Sequence, residues 1–178
     1  MSGGLIYPAL KNSFGYYKKQ INAFKKNILQ YDYKEIYPAE SINNLISNNQ
    51  FHLYYYSGIK LIKLEIGDVI ELLKNIIYII KTYANYSIAF IHKKFDKSKE
   101  NDFSCTIKES KAMFFEEYRL LDNVPEVRLS TEEPIFVKAS EEYFKRTWEN
   151  IVPGYKEKAE IIQLLQRHID VLKKSLQN

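Results

Sequence analysis

The apolar stretch from Ile59 to Phe95 constrains the fold of this chain more than any other stretch. Within it, Asp68 and Glu71 have the three-residue spacing of a helix capping box, which predicts that a helix begins there. The apolar residues that follow recur at steps of three and four and cover more than one side of that helix: Val69, Ile70, Leu73, Ile76, Ile77, Ile80, Tyr83, Ala84, Ile88, Phe90 and Ile91. The pattern predicts a long central helix at about 68–95 that forms the core of a small domain or enters a partner's core.

The residues before this helix favour a β-hairpin at 51–66. Phe51–Tyr56 is rich in strand-forming residues, and Ser57-Gly58 can turn the chain into a second strand. A backward extension of the central helix to Phe51 is the alternative, because the apolar residues at 61–66 fit neither the helical nor the strand period.

A candidate domain boundary follows residue 122. The capping pair Thr106 and Glu109 predicts a helix that runs to Leu121, and Pro125 disfavours its continuation. Beyond it, short apolar runs at 127–129 and 135–137 flank a polar loop, which is typical of two strands. Two helices then follow, the first capped by Ser140. We expect a helical domain with an N-terminal arm at 1–122 and a small portion at 123–178, which is either separate or packed with the first.

The fold class predicted from these elements is mainly α (α+β). Only 6 glycines and 5 prolines occur in 178 residues, and such a scarcity of helix-breaking residues favours helices. The expected architecture is a helical domain around the central helix, with the hairpin at 51–66 and a small β-containing C-terminal portion.

The excess positive charge lies in the first third of the chain. The formal net charge is +4, and the basic and acidic residues after residue 60 balance. An amphipathic helix is predicted from Phe14 to Tyr31, with lysines beside its apolar stripe. These residues are the predicted nucleic-acid contacts: Lys11, Lys18, Lys19, Lys25 and Lys26. A basic face of this kind is either a solvated surface or a site for phosphate or an acidic partner.

Side chains that carry catalysis are not clustered in the sequence. The three histidines, His52, His92 and His168, lack the spacing of a helical zinc pair, and Cys105 has no evident catalytic companion. The adjacent acidic pairs suit helix surfaces, and no glycine-rich phosphate loop occurs. We therefore expect a protein that is not an enzyme and that uses no cofactor or metal.

Apolar residues in the last third predict association with another chain. The last helix repeats an apolar stripe at steps of three and four: Ile162, Leu165, Ile169 and Leu172. Trp148 fits a core position or an interface anchor, since tryptophan is enriched in interfaces. A homo- or hetero-oligomer is the expected state.

The compartment expected for this chain is intracellular. Its start lacks the basic and apolar pattern of a secretory leader, and no apolar run reaches the roughly 18–20 residues that a membrane span needs. A single cysteine is typical of a reducing environment.

The order of the predicted elements resembles that of a subunit of the GINS replication complex. The matching pieces are Lys108–Leu121 (KESKAMFFEEYRLL), Val127–Val137 and Tyr143–Ile151 (YFKRTWENI), and the central helix would stand for the long helix of that family. The resemblance implies a non-catalytic scaffold subunit of a DNA-associated replication assembly. The hairpin at 51–66 and the last helix have no counterpart in that family.

Two other functions remain open. The chain fits a nucleic-acid-coating structural protein of the viral capsid type, found in virions, with the basic N-terminal helix on the phosphate backbone. It also fits an adaptor that binds only proteins. DNA, RNA and protein therefore all stay open as ligands.

Overall fold

The computed structural model describes residues 15–55, 58–92, 101–119 and 124–177. Its α-helices are α1 Gly15–Gln30, α2 Ala39–Asn48, α3 Ile66–Thr82, α4 Pro134–Asn150 and α5 Lys158–Ser175, with a 3-10 turn at Pro153–Tyr155. Its strands are β1 Tyr33–Pro38, β2 Gln50–Tyr55, β3 Gly58–Lys63, β4 Tyr86–Ile91, β5 Asn101–Lys108, β6 Ala112–Arg119 and β7 Val124–Thr131. Helical residues outnumber strand residues in this described part. The predicted class, mixed α+β and mostly helical, is confirmed at that level.

The chain divides into two compact units. Unit 1 comprises Met1–Gln50, Lys63–His92 and Ile151–Asn178, and unit 2 comprises Phe51–Ile62 and Lys93–Asn150. This division differs from the predicted boundary at residue 122, because β6 and β7 lie on either side of that boundary and pair with each other in one sheet. Pairing between strands brings together segments that local sequence patterns treat as separate.

The core of unit 1 is built around α3. Eight of its side chains are buried: Val69, Ile70, Leu72, Leu73, Ile76, Ile77, Ile79 and Ile80. The helix α5 packs along α3, which agrees with the prediction that α3 is covered on more than one side. Burial on several sides is the arrangement that a helix apolar over most of its circumference requires.

The central helix is shorter than the predicted 68–95 and starts earlier. It begins at Ile66, with Glu65 at the N-cap position, and the Asp68 amide donates to the Glu65 carbonyl. Asp68 therefore lies in the first turn instead of capping it, and the Glu71 carboxylate accepts from the Lys74 ammonium at 2.6 Å. The helix ends at Thr82.

A strand follows where the helix was expected to continue. The strand β4 pairs in parallel with β1, from Tyr33 opposite Tyr86 to Pro38 opposite Ile91. Tyr86, Ile88 and Phe90 lie on one face of this strand and are buried, and Ala89 on the other face is buried as well. The spacing of these apolar residues fits both periods, and pairing with β1 decides between them. The predicted helical residues 93–95 lie outside the described part.

A hairpin is present where one was predicted at 51–66, although its second strand ends at Lys63 and Ile66 already belongs to α3. The strands β2 and β3 form a two-stranded sheet and are separated by two residues. At the base of this hairpin, the Leu64 amide donates to the Asn49 carbonyl at 2.7 Å. Asn49 has a φ of 53°, the left-handed conformation that asparagine tolerates better than most residues.

The second sheet of unit 2 replaces the helix predicted from Thr106 to Leu121. Its three antiparallel strands have the order β5-β6-β7. The turn between β5 and β6 places Ser110 at a φ of 55°, and the Lys111 amide donates to the Lys108 carbonyl. The short run at 135–137 lies in α4, because this helix begins at Pro134 and not at Ser140. Proline is well suited to the first turn of a helix, where its missing amide donor has no partner to lose.

Candidate interaction surfaces

Two of the five predicted nucleic-acid contacts lie on an exposed face of α1. Lys25 and Lys26 are exposed, whereas Phe24 and Ile28 on the same helix are buried at 4% and 0% exposure. Neither lysine forms an ion pair with a described residue. The side chains of Lys18 and Lys19 and the whole of Lys11 lie outside the described part. The structure thus leaves two adjacent cations on α1 open to solvent.

The predicted interface stripe of α5 belongs to the core of unit 1. Leu165, Ile169 and Leu172 are 0%, 1% and 5% exposed, and Ile162 is half-buried. These side chains are covered within the chain itself, so the stripe does not offer a free surface. Its three-four spacing is equally typical of a core-facing helix and of an interface helix, and burial distinguishes the two.

Trp148 is half-buried on α4, where its ring stacks on Phe144 with ring centroids 6.1 Å apart and an interplanar angle of 22°. It lies on the side of α4 that includes the buried Val137, which is 3% exposed. Of the two interpretations left open for Trp148, this position favours packing within unit 2.

The orientation of α4 over the β5-β6-β7 sheet is fixed by two polar contacts. The Glu141 carboxylate accepts from the Ser110 amide in the β5–β6 turn at 2.5 Å. The Ser140 hydroxyl donates to the thioether sulfur of Met113 on β6 at 3.0 Å. Together with the buried Val137, these contacts establish which side of α4 faces the sheet.

A second side of α4, about 100° around the helix from the side that faces the sheet, is apolar as well, and we call it the outer face. Ile135, Phe136 and Tyr143 are 70%, 58% and 63% exposed, and Ala139 is exposed between them. The steps from Phe136 to Ala139 and from Ala139 to Tyr143 are three and four residues, so these side chains share one face of the helix. An aromatic pair on the solvent-exposed face of a helix is unusual, because large apolar side chains are stabilised by burial.

The strand β7 adds two more exposed apolar side chains. Leu129 is 48% and Val127 is 47% exposed. In the antiparallel register Leu129 lies opposite Phe115, two residues along β6 from Met113, so it projects from the face of the sheet that α4 covers. We name these residues the unit 2 apolar surface: Val127, Leu129, Ile135, Phe136, Ala139 and Tyr143.

A buried carboxylate in unit 1 is held by two tyrosines. The Tyr86 hydroxyl donates to one Glu35 carboxylate oxygen at 2.6 Å, and the Tyr37 hydroxyl donates to the other at 2.9 Å. Burial raises the pKa of Tyr86 well above its ordinary value, and the negative charge of Glu35 raises it further. Phe24 packs its ring edge-on against Tyr86, with ring centroids 5.7 Å apart. This network links α1, β1 and β4 within unit 1.

His92, His168 and Cys105 each have a defined packing environment. The His92 ring packs edge-on against Tyr155, and burial followed by the nearby Arg167 charge lowers the pKa of His168. Burial raises the pKa of the Cys105 thiol, which disfavours the nucleophilic thiolate. Among the described residues, no three His, Cys, Asp or Glu side chains are grouped as metal ligands would be.

Lys158 fastens the start of α5 to the turn after α3. Its ammonium donates to the carbonyls of Tyr83 and Ala84 at 2.9 and 2.7 Å. Burial lowers the pKa of Lys158. The contact thus has a structural role, since it joins the start of α5 to the turn between α3 and β4.

None of the helices in the described part of the chain has both the length and the hydrophobicity of a membrane-crossing segment.

The unit 2 apolar surface was not predicted from the sequence, although one signal for it exists. The residues on α4 form two apolar stripes, one through Val137, Phe144 and Trp148 and the other through Phe136 and Tyr143. Two stripes about 100° apart around a helix predict that more than one side of it is covered. The sequence analysis predicted a strand at 135–137 and a helix that begins at Ser140. Phe136 was therefore not counted as a helical residue, and the second stripe was not recognised.

The resemblance to GINS subunits relied on three segments whose elements are now defined. Lys108–Leu121 covers the end of β5 and the strand β6, while Val127–Val137 covers the end of β7 and the start of α4. Tyr143–Ile151 lies mostly on α4. The resemblance itself stays a prediction.

Comparison of this chain with family models, curated proteins and solved structures gives no match.

Proposed function

We propose that this protein is a non-catalytic component of a larger assembly, which it joins by binding a protein through the unit 2 apolar surface. The observation that carries the proposal is the exposure of Phe136 and Tyr143 on the outer face of α4, at 58% and 63%. Aromatic side chains are enriched in the buried centres of protein interfaces and depleted from ordinary surface. Exposed apolar side chains that share one face of a helix are typical of an interaction site.

The arrangement of α4 supports this proposal. The helix is held to the sheet from its other side, through Glu141, Ser140 and Val137, so its outer face is presented on a fixed support. Because this face is already ordered, binding a partner to it costs little additional conformational entropy. The adaptor function is therefore the first candidate. A DNA-associated assembly of the GINS type is one form that such an assembly would take.

Catalytic turnover is not part of the proposed function. This expectation rests on the sequence, which contains no glycine-rich phosphate loop and no clustered metal ligands. The raised thiol pKa of Cys105 supports it, since a thiol that holds its proton is a poor nucleophile.

Photo-crosslinking tests the protein-binding function. A benzophenone amino acid in place of Tyr143 should give a covalent protein adduct on irradiation in the cells of origin, because the partner would cover this side chain. Tyr78 on α3 is the matched control: it is 61% exposed but lies in unit 1, and we expect no adduct there. The absence of an adduct from both position 136 and position 143 would contradict the proposal.

Nucleic-acid binding through α1 is a second candidate. It is favoured by Lys25 and Lys26, which are exposed, adjacent and without ion pairs in the described chain. Cations that are free of acidic partners can neutralise phosphates without first breaking a salt bridge. This candidate is compatible with the first, because the two surfaces belong to different units.

A salt titration tests the second candidate. Each phosphate neutralised on duplex DNA contributes about 0.9 to the slope of log affinity against log salt. Changing Lys18, Lys19, Lys25 and Lys26 together to glutamine should therefore reduce that slope by up to about three or four. The control changes Lys173 and Lys174, which are exposed on α5, and should leave the slope unchanged. An unaltered slope in a folded quadruple variant would make the α1 lysines a solvated face.

A further inference from the structure

The two edges of the β5-β6-β7 sheet differ in how they are protected against the addition of a further strand. The edge strand β7 contains Pro125, and its register with β6 shifts between Glu117 and Tyr118. Proline and irregular pairing both hinder such an addition. The edge strand β5 contains no proline and pairs with β6 through eight consecutive residues without a shift. Among the described strands, β6 is the only one that pairs with β5, so a regular edge is left for a second strand.

We propose that β5 pairs antiparallel with β5 of a second copy of this chain, which joins two three-stranded sheets into one sheet of six strands. The two-fold axis is normal to the sheet and passes between the two Cys105 residues. Residues that are equally far from Cys105 on either side then lie opposite each other. The pairs made in this register are Asp102 with the partner's Lys108, Phe103 with the partner's Ile107, and Ser104 with the partner's Thr106.

The residue types along β5 agree with this register. Positions 102, 104, 106 and 108 are polar or charged, and positions 103, 105 and 107 between them are apolar or a thiol. Because opposite residues of an antiparallel pair lie on the same face of the sheet, polar residues meet polar ones and apolar residues meet apolar ones. The pair of Asp102 and Lys108 occurs twice, once on each side of the axis. Within the chain, β6 places Tyr118 opposite Asp102 and Ala112 opposite Lys108, so neither charge has its complement directly across.

Other registers of the same two strands lack this match. The axis has to pass between two copies of one residue, because opposite residues of an antiparallel pair must share a face. When the axis is moved to position 103, 104, 106 or 107, no acidic residue of β5 lies opposite a basic residue of β5. A second copy is therefore an occupant that satisfies both the backbone and the charges of this edge. The inference goes beyond the proposed function and does not rest on it, since β5 contributes no residue to the unit 2 apolar surface.

Sedimentation of charge variants of the full chain tests the inference. Between about 5 and 200 µM, the range in which an interface of micromolar affinity is filled, the wild type should shift from monomer to dimer. Asp102→Lys and Lys108→Asp should each weaken the dimer by about fivefold or more, because each turns two attractive cross-strand pairs into two repulsive ones. The double variant should restore the wild-type affinity. Lys111→Asp is the control: Lys111 is exposed in the β5–β6 turn, outside the paired segment, and its reversal should leave the dimer unchanged.

Thiol crosslinking tests the position of the axis. Cys105 is exposed, and opposite residues of an antiparallel pair have Cα atoms about 4.5–5.5 Å apart, which a disulfide can span. Oxidation by copper phenanthroline should therefore convert the wild-type dimer into a covalent dimer. The control is Cys105→Ser combined with Thr106→Cys, which moves the thiol by one exposed residue. The two thiol-bearing residues are then offset by two positions, with Cα atoms about 8 Å apart, and should crosslink far more slowly.

Three results would overturn the inference. The first is a folded wild type that stays monomeric at about 200 µM. The others are equal crosslinking from positions 105 and 106, and a double charge variant that stays as weak as the single ones. Trp148, the only tryptophan of the chain, is half-buried in unit 2, so its fluorescence reports in every variant whether this unit is folded. All three results would leave the crosslink expected from position 143 unchanged, so the failure of this inference is distinguishable from the failure of the proposed function.

Discussion

Shortening Leu165 to alanine is expected to lower the free energy of unfolding by about 2–5 kcal/mol. Leu165 is fully buried in unit 1, on the helix that packs along α3. Removing its terminal carbons leaves a cavity that the neighbouring helix cannot fill without moving, and it also removes apolar area from the core. Since proteins of this size have a stability of about 5–15 kcal/mol, the change is a large part of the total. Urea unfolding followed by far-ultraviolet circular dichroism measures it.

The matched control for this variant is Val171→Ala. Val171 lies on the same helix but is 61% exposed, so its truncation should change the stability by less than about 0.5 kcal/mol. The loss in Leu165→Ala should be independent of protein concentration, because the side chain packs within its own chain. A loss that grows as the protein is diluted would show instead that the α5 stripe is an interface between chains.

Local patterns in the sequence were sufficient where the contacts themselves are local. The hairpin β2–β3 was predicted because Ser57-Gly58 separates two runs of strand-forming residues, and this pairing spans few residues. The helix α3 was predicted because its apolar residues repeat over several turns, and this periodicity depends on no other part of the chain. The hairpin strands lie at 50–55 and 58–63, close to the expected range, whereas the helix ends at Thr82 and does not continue to about 95.

Elements that depend on distant partners were missed. Ile88 and Phe90 fit a helical stripe and an alternating strand equally well, and the choice is made by β1, which lies about fifty residues earlier. Thr106 and Glu109 have capping-box spacing, yet they lie at a strand end and a turn, because β6 pairs with β5 and β7. Tertiary contacts routinely override local propensity in this way.

The two candidate surfaces also differ in whether they depend on local or distant contacts. The exposure of Lys25 and Lys26 agrees with the amphipathic pattern of α1, which is a local property. The exposure of Phe136 and Tyr143 depends on which side of α4 the sheet covers, and that is fixed by Ser110 and Met113 on other strands. Hydrophobicity alone predicts that Tyr143 and Phe144 are both core residues. In the structure Phe144 is half-buried and stacks on Trp148, whereas Tyr143 is exposed.

Replacing Tyr86 with phenylalanine is expected to lower the free energy of unfolding by about 1.5–3 kcal/mol near neutral pH, the range for a hydrogen bond to a charged group. The Tyr86 hydroxyl donates to the buried Glu35 carboxylate, and phenylalanine keeps the ring packing but leaves that oxygen without this donor. Tyr37 still holds the other carboxylate oxygen, so the network should weaken without collapsing. The control is Tyr78→Phe, which removes an exposed hydroxyl and should change the stability by less than about 0.5 kcal/mol.

The same substitution should also change the response to alkaline pH. Burial, reinforced by the Glu35 charge, raises the pKa of Tyr86 in the folded protein well above its ordinary value of about 10. As the pH rises past about 10, the unfolded chain loses this proton while the folded chain keeps it, so the unfolded state binds fewer protons and stability falls with pH. The contribution of Tyr86 is therefore complete below pH 10 and is lost above it. Phenylalanine cannot titrate, and the deficit of Tyr86→Phe relative to the wild type should narrow between about pH 10 and 11, as measured by urea midpoints at each pH. Parallel curves for the two proteins over that interval would mean that the Tyr86 proton is no better held in the folded chain than in the unfolded one.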